Sequence, residues 1–188
     1  VVVRGLLPES LYLLLQGFSG TSLSTIDMNS IIRYGDLGKL WLVHNTGRRS
    51  LYFKNGVYVS NGVDEAPIPA ACELLDYAGF ADVAMVAGRL PDYRGTEWTR
   101  YMFVLSKRFT VVLDHLRINE PGRYVVCCNW RTPGFASLEE TTWKSIQDEA
   151  VFTVAEAEPE VSWSRRSPIR DGATRPTTLR QRRVLDAK

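Results

Sequence analysis

The stretch Trp98–Leu116 reads WTRYMFVLSKRFTVVLDHL. Two runs of aromatic and branched residues flank the polar tripeptide Ser106-Lys107-Arg108, which is the grammar of an antiparallel hairpin. Side chains alternate in direction along a strand. Tyr101, Phe103 and Leu105 therefore share one face of the first run, and Met102 and Val104 the other. In the second run Phe109, Val111 and Leu113 stand opposite Val112. Strands that are apolar on both sides are usually central and covered on both faces, so this hairpin is expected in the middle of the molecule.

The segments on either side follow the same grammar. Upstream, Asp82–Arg89 alternates, with Val83, Met85 and Ala87 against Ala84, Val86 and Gly88. Downstream, Asn119-Glu120-Pro121-Gly122 is a turn leading into Arg123–Trp130, and Thr141–Ile146 and Ala150–Val154 are further strands. Towards the N-terminus, Leu11–Gln16 is a short apolar run closed by Gly17 and Gly20. Met28–Tyr34 and Leu40–His44 flank Gly35-Asp36-Leu37-Gly38 as a second hairpin. Ser50–Lys54 and Val57–Ser60 are separated by Asn55-Gly56, a dipeptide that favours a type I′ turn, and Asn61-Gly62 supplies the next turn. Pro67 and Pro69 break regularity before Ala70–Tyr77, where a helix is conceivable but poorly supported by the pattern. Recurring turn signals without alternating β and α segments predict an all-β antiparallel sandwich. Ser162–Arg183 is rich in Arg, Ser, Thr and Pro, and its composition suits a solvated tail. The competing reading makes Thr177–Leu185 a strand with partners beyond Lys188. The expected division is thus a sandwich over 1–160, with 161–188 as a polar tail or an incomplete continuation of it.

Composition bounds the function. With 45% hydrophobic and 23% charged residues, the 188-residue chain has the make-up of a globular protein with a substantial core. A net charge of +2 gives no argument for nucleic acid or an anionic membrane surface as partner. The longest apolar run, around Leu11–Leu15, is strand-sized rather than membrane-spanning. Cys72, Cys127 and Cys128 lack metal-ligand spacing, and neighbours on a strand point apart, so they read as packing residues. No cofactor is implied. The chain starts at Val1 rather than Met and is read as a piece of a longer protein.

The polar residues with chemical interest gather in Ser22–Asn55, at Asp27, Asn29, His44, Asn45 and Asn55. On a strand, positions 23, 25 and 27 share a face, the arrangement that aims metal ligands together. Here they are Leu23, Thr25 and Asp27, and one carboxylate makes no metal site.

The run from Gly17 to Asn45, with DMNSIIRY and KLWLVHN, together with WTRYMFVLSKRFTVVLDHL and GRYVVCCNW, resembles the β-sandwich domain of heparinase II/III-like polysaccharide lyases. The resemblance covers Leu11 to Val154. It implies a supersandwich-like sheet preceded, in a longer protein, by an N-terminal α/α toroid absent from this chain. It also implies a uronate-containing acidic polysaccharide as partner, β-elimination as the family's reaction, and a periplasmic or secreted location. The family's catalytic His falls on Leu23, a metal-ligand His on Thr25, the acidic ligand on His44 and a later His on Lys54; Asp27, Asn29 and Asn55 match. Elimination needs charge neutralisation, a base and an acid, and Leu23 supplies neither proton role. The expectation is a degenerate site that binds rather than cleaves, with Asp27, Asn29, His44, Lys54 and Asn55 as substrate-binding residues and neither a metal nor a catalytic residue. A stand-alone carbohydrate- or protein-binding β-module is the alternative, and an active lyase with its acid and base on the absent toroid is a third.

Each residue also has a plainer reading. Asp27 and Asn29 suit loop caps, His44 a hydrogen-bonded strand end, and Lys54 an exposed edge-strand lysine that blocks aggregation. His115 and Asp114, as strand neighbours, point apart. Trp41, Trp98, Trp130 and Trp143 read as core aromatics ahead of a sugar-stacking platform.

Overall fold

The computed structural model describes residues 1–5, 10–17, 28–44, 54–62, 71–105, 108–157, 161–166, 169–170, 173–174 and 176–188. Among them there is no helix, and every strand pairing is antiparallel. Leu23, Thr25, Asp27 and Asn45 lie outside the described residues.

The hairpin of Trp98–Leu116 is present as β8 (Thr96–Leu105) and β9 (Phe109–Ile118), paired from Thr96↔Ile118 to Leu105↔Phe109. With β6 (Glu73–Gly79) and β7 (Val83–Tyr93) it makes a sheet of order β6-β7-β8-β9. The expectation of cover on both faces is corrected. Met102 and Val104 are buried beside Val86 on the inner face, whereas Phe109, Val111 and Leu113 are 55%, 44% and 54% exposed on the outer one. The reason is layering rather than edge position, since Phe103 of the interior strand β8, level with Val111, is 36% exposed on the same face. Ala70–Tyr77 contributes the other edge, β6, and not a helix.

The second predicted hairpin is β3 (Ser30–Asp36) and β4 (Lys39–Val43), closed by Leu37 and Gly38 at φ 54° and 68°, the left-handed pair of a two-residue hairpin turn. They extend a sheet of order β1-β2-β3-β4 through β1 (Val2–Arg4) and β2 (Tyr12–Gln16). The turn expected at Asn55-Gly56 is not a type I′ turn, because neither residue has positive φ. Asn55 forms a bridge to Ile31 instead. Gly56 is required by close approach, since a Cβ there would lie 2.5 Å from Ser30 Oγ.

The polar C-terminal segment is corrected most. Thr177–Ala187 is not a solvated tail but a strand, β17, paired along its whole length with β10 (Gly122–Thr132), from Thr132↔Thr177 to Gly122↔Ala187. Its partners lie within the chain: β14 (Ser162–Arg166) on its other edge, and β5 (Val57–Ser60) beyond β10. Leu179 is fully buried and Gln181 is 8% exposed. Composition hides this strand because its alternate arginines face outward while Leu179 and Leu185 face in. A three-stranded sheet of β11 (Phe135–Glu139), β12 (Thr142–Gln147) and β13 (Ala150–Ala155) completes the larger elements. The short pair β15 (Ile169–Arg170) and β16 (Ala173–Thr174) precedes β17.

Two apolar clusters hold these sheets together. Leu13, Ile31, Trp41, Met102, Trp130, Trp143 and Leu179 belong to one, and Met28, Val57, Leu90, Tyr93, Trp98 and Tyr124 to the other. Trp41, Trp98, Trp130 and Trp143 are core residues, each 7% exposed or less. Phe152 of β13 packs on Trp41, Trp143 and Tyr34, with ring centroids 5.5–5.8 Å apart.

Candidate binding site

Three chain segments meet where β3 begins, β4 ends and β5 approaches. His44, just after β4, is anchored by its own N–H to Ile32 O at 3.1 Å. Its ring reaches Lys54, with Nε2 2.7 Å from Nζ and both residues buried. Which of the two donates depends on the His44 tautomer. Lys54 is 1% exposed, which corrects its reading as an exposed edge lysine.

Arg131 of β10 is the third basic residue here, and sequence reading missed it. Its backbone N–H donates to Asn55 Oδ1 at 2.6 Å, and its Nη1 donates to Val43 O at 3.5 Å. It is 8% exposed, and its Nε has no hydrogen-bond partner among the described residues. Burial pulls the Arg131 guanidinium below its ordinary value. A guanidinium this buried, with no carboxylate partner among the described residues, is costly. No signal in the strand GRYVVCCNWRT separated it from an ordinary surface arginine.

Asn29 and Asn55 serve the backbone. Asn55 Nδ2 donates to Ile31 O at 3.0 Å while its Oδ1 takes the Arg131 amide, so one side chain ties β3 to β10. Asn29 sits at φ 56°, a conformation asparagine tolerates, and its Nδ2 donates to Gly88 O at 3.2 Å. Beneath both lies Arg100 of β8, fully buried. Its Nη1 donates to Asn29 O at 3.0 Å and to Asn55 O at 3.1 Å. Its other edge grips Asp114 of β9, Nε to Oδ1 at 2.7 Å and Nη2 to Oδ2 at 2.8 Å. Burial works against the Arg100 charge, but the Asp114 carboxylate outweighs it and holds the guanidinium above its ordinary value. Trp98 Nε1 also donates to Asp114, at 2.8 Å. Asp114 thus faces inward and His115 outward, as alternation requires.

Of the five residues read as substrate-binding, His44 and Lys54 touch, Asn55 adjoins them, and Asn29 joins through Arg100. Asp27 lies outside the described residues. No cluster of three or more His, Cys, Asp or Glu able to hold a metal occurs among the described residues.

Cys72 closes the site over Gly88, where a Cβ would come within 2.8 Å of its Sγ and 2.7 Å of Asn29 Oδ1. Burial pushes the Cys72 thiol up to about 11. The thiolate is the reactive form, so iodoacetamide at pH 8 is expected to alkylate Cys72 roughly a hundredfold more slowly than a solvated thiol with a pKa of about 8.5. Mass-spectrometric rates should climb about tenfold per pH unit up to pH ~10. A rate at pH 8 matching a free peptide thiol would refute this packing.

No family model matches the chain, and no curated protein matches it in sequence. Its fold is nonetheless that of part of the heparinase III and heparan sulfate lyase structures. Heparan sulfate lyase HepC from Pedobacter heparinus superposes with a TM-score of 0.80 at 9% identity, over 99% of this chain and 32% of that one. A heparinase III gene product gives 0.77 at 12% identity with the same coverages. Another heparinase III structure gives 0.75 at 15% identity, over 98% of this chain and 32% of that one. The chain therefore spans 32% of the length of these proteins, and what they share with it is fold.

Proposed function

We propose that this chain is the β-sandwich part of a polysaccharide lyase-like protein that binds uronate-containing polysaccharide and does not cleave it alone. On this reading the antiparallel sheets form the sandwich over 1–160, the segment 161–188 continues it, and an N-terminal α/α toroid completes the protein. The observation that carries the proposal is the buried basic group of His44, Lys54 and Arg131, lying where the heparinase resemblance puts the substrate. Basic side chains converging at a partly dry site favour a carboxylate or sulfate, because charge-assisted hydrogen bonds are the strong ones. Elimination also requires a base and an acid in reach of the sugar. His44, the one imidazole here, has its Nε2 committed to Lys54. Calorimetric titration with heparan sulfate oligosaccharides is expected to give saturable binding. The same mixtures should accumulate no unsaturated uronate by ultraviolet absorbance. Turnover that disappears in His44→Ala would overturn the non-catalytic reading, and absence of binding would overturn the polysaccharide reading.

A further inference from the structure

The register of β10 and β17 sorts their side chains onto two faces, since directly paired residues of antiparallel strands share a face. Arg131 is level with Thr178, Asn129 with Arg180, Cys127 with Arg182, and Arg123 with Asp186. Alternation then places Arg123, Arg131, Arg180 and Arg182 on one face of the sheet, and Trp130, Leu179, Gln181 and Leu185 on the other. The arginine face changes along its length. At the Arg131 end Asn129 and Thr178 are buried, while Arg182 and Arg123 at the other end are exposed. Arg180 Nε donates to Asn129 Oδ1 at 2.9 Å, which holds its guanidinium over the middle of the face. Arg182 is level with Cys127 and Arg180 lies one pair along on the same face; burial raises the Cys127 thiol, and their charges pull it down against that. The carboxylate on this face of the paired strands is Asp186, 3.9 Å from Arg123, with both side chains at least three-quarters exposed; such a pair is worth little.

We propose that Arg131, Arg180, Arg182 and Arg123 form one cationic track, running from buried Arg131 to the exposed end of the sheet, that holds an acidic polysaccharide chain. Arg131 to Arg123 is eight residues along β10, about 27 Å at ~3.4 Å per residue. That is too long for one carboxylate or phosphate and suits an extended polyanion. Hydroxyls interleave with the charges: Ser164 is level with Arg180, and Ser162 with Arg182. Tyr58, level with Cys127, carries the Arg94 guanidinium 5.0 Å over its ring, so the aromatic platform a single-stranded nucleic acid stacks on is already covered. The track rests on the proposed function for the ligand being a polysaccharide, though not for its being anionic.

The test uses immobilised heparin and titration with a heparan sulfate oligosaccharide. Arg123→Gln/Arg182→Gln removes two exposed charges. Arg117→Gln, on the outer face of β9 and 63% exposed, removes one elsewhere. Charged hydrogen bonds are worth about 1.5–3 kcal/mol, tenfold or more each. The double variant is therefore expected to bind about a hundredfold more weakly and to leave heparin at lower salt, with Arg117→Gln within twofold of wild type. Wild-type binding that the double variant retains would overturn the track and leave the proposed function standing. Equal weakening by Arg117→Gln would overturn it as well, by showing unlocalised charge attraction. No binding by wild type would overturn both proposals, and duplex DNA competing as well as heparin at equal charge would overturn the polysaccharide assignment.

Discussion

Arg100→Met is expected to lower the unfolding free energy by about 3–5 kcal/mol, the cost of leaving one partner of a buried ion pair behind. Arg100 is fully buried, and its Asp114 partner keeps 17% of its side chain exposed. Methionine fills much of the volume but donates nothing. Asp114 would keep the Trp98 bond at 2.8 Å and lose both guanidinium bonds. The carbonyls of Asn29 and Asn55 would lose a donor in the same step. The effect therefore spreads from the β8–β9 hairpin to β3 and the approach to β5. Urea unfolding with an unchanged slope measures it. Arg100→Met/Asp114→Leu, which removes both charges, should be less destabilised than Arg100→Met. A loss under 1 kcal/mol for the single variant would mean that Arg100 is not the strut between these elements.

Arg100 also marks what sequence reading could reach. The hairpin around it was legible because strand alternation and turn chemistry are local, and β8, β9, β3, β4, β12 and β13 all lie where that grammar put them. Its burial was not legible. In WTRYMFVL an arginine between two apolar faces looks like the polar member of an alternation. Alternation puts it on the Met102–Val104 face, and the carbonyls of Asn29 and Asn55, 71 and 45 residues away, satisfy it there. β17 was legible only as the competing reading of Thr177–Leu185, with its partners placed beyond Lys188, for the opposite reason. Arg180 and Arg182 lie on its outer face, and its stability comes from pairing with β10, about 50 residues earlier, which composition cannot register. The candidate site divides in the same way. His44 and Lys54 were legible as chemically interesting, and the structure brings them into contact. Arg131 was not, because burial of a guanidinium is a property of surroundings rather than of residue type. The open outer face of β9 was misread because apolar residues on both sides of a strand record what the strand can cover, not what covers it here.

Asn55→Ala carries the second large effect and tests what kind of residue Asn55 is. As a backbone strut, its loss frees Ile31 O and the Arg131 amide, both buried, at about 1–3 kcal/mol each. The variant is expected to be destabilised by roughly 2–4 kcal/mol on the same scale. Measured where it remains folded, its affinity for heparan sulfate oligosaccharide should stay within about threefold of wild type, because both side-chain ends already face protein. Asn55→Asp separates the two bonds. A carboxylate still accepts the Arg131 amide but presents negative charge to Ile31 O, so Asp should recover only part of the loss. The reverse pattern, with stability unchanged and binding lost in Asn55→Ala, would return Asn55 to the substrate contacts that the heparinase resemblance assigns it. The two patterns exclude each other because this amide has one acceptor and one donor edge. An Oδ1 held 2.6 Å from the Arg131 nitrogen and an Nδ2 aimed at Ile31 O leave little of either to turn towards a sugar.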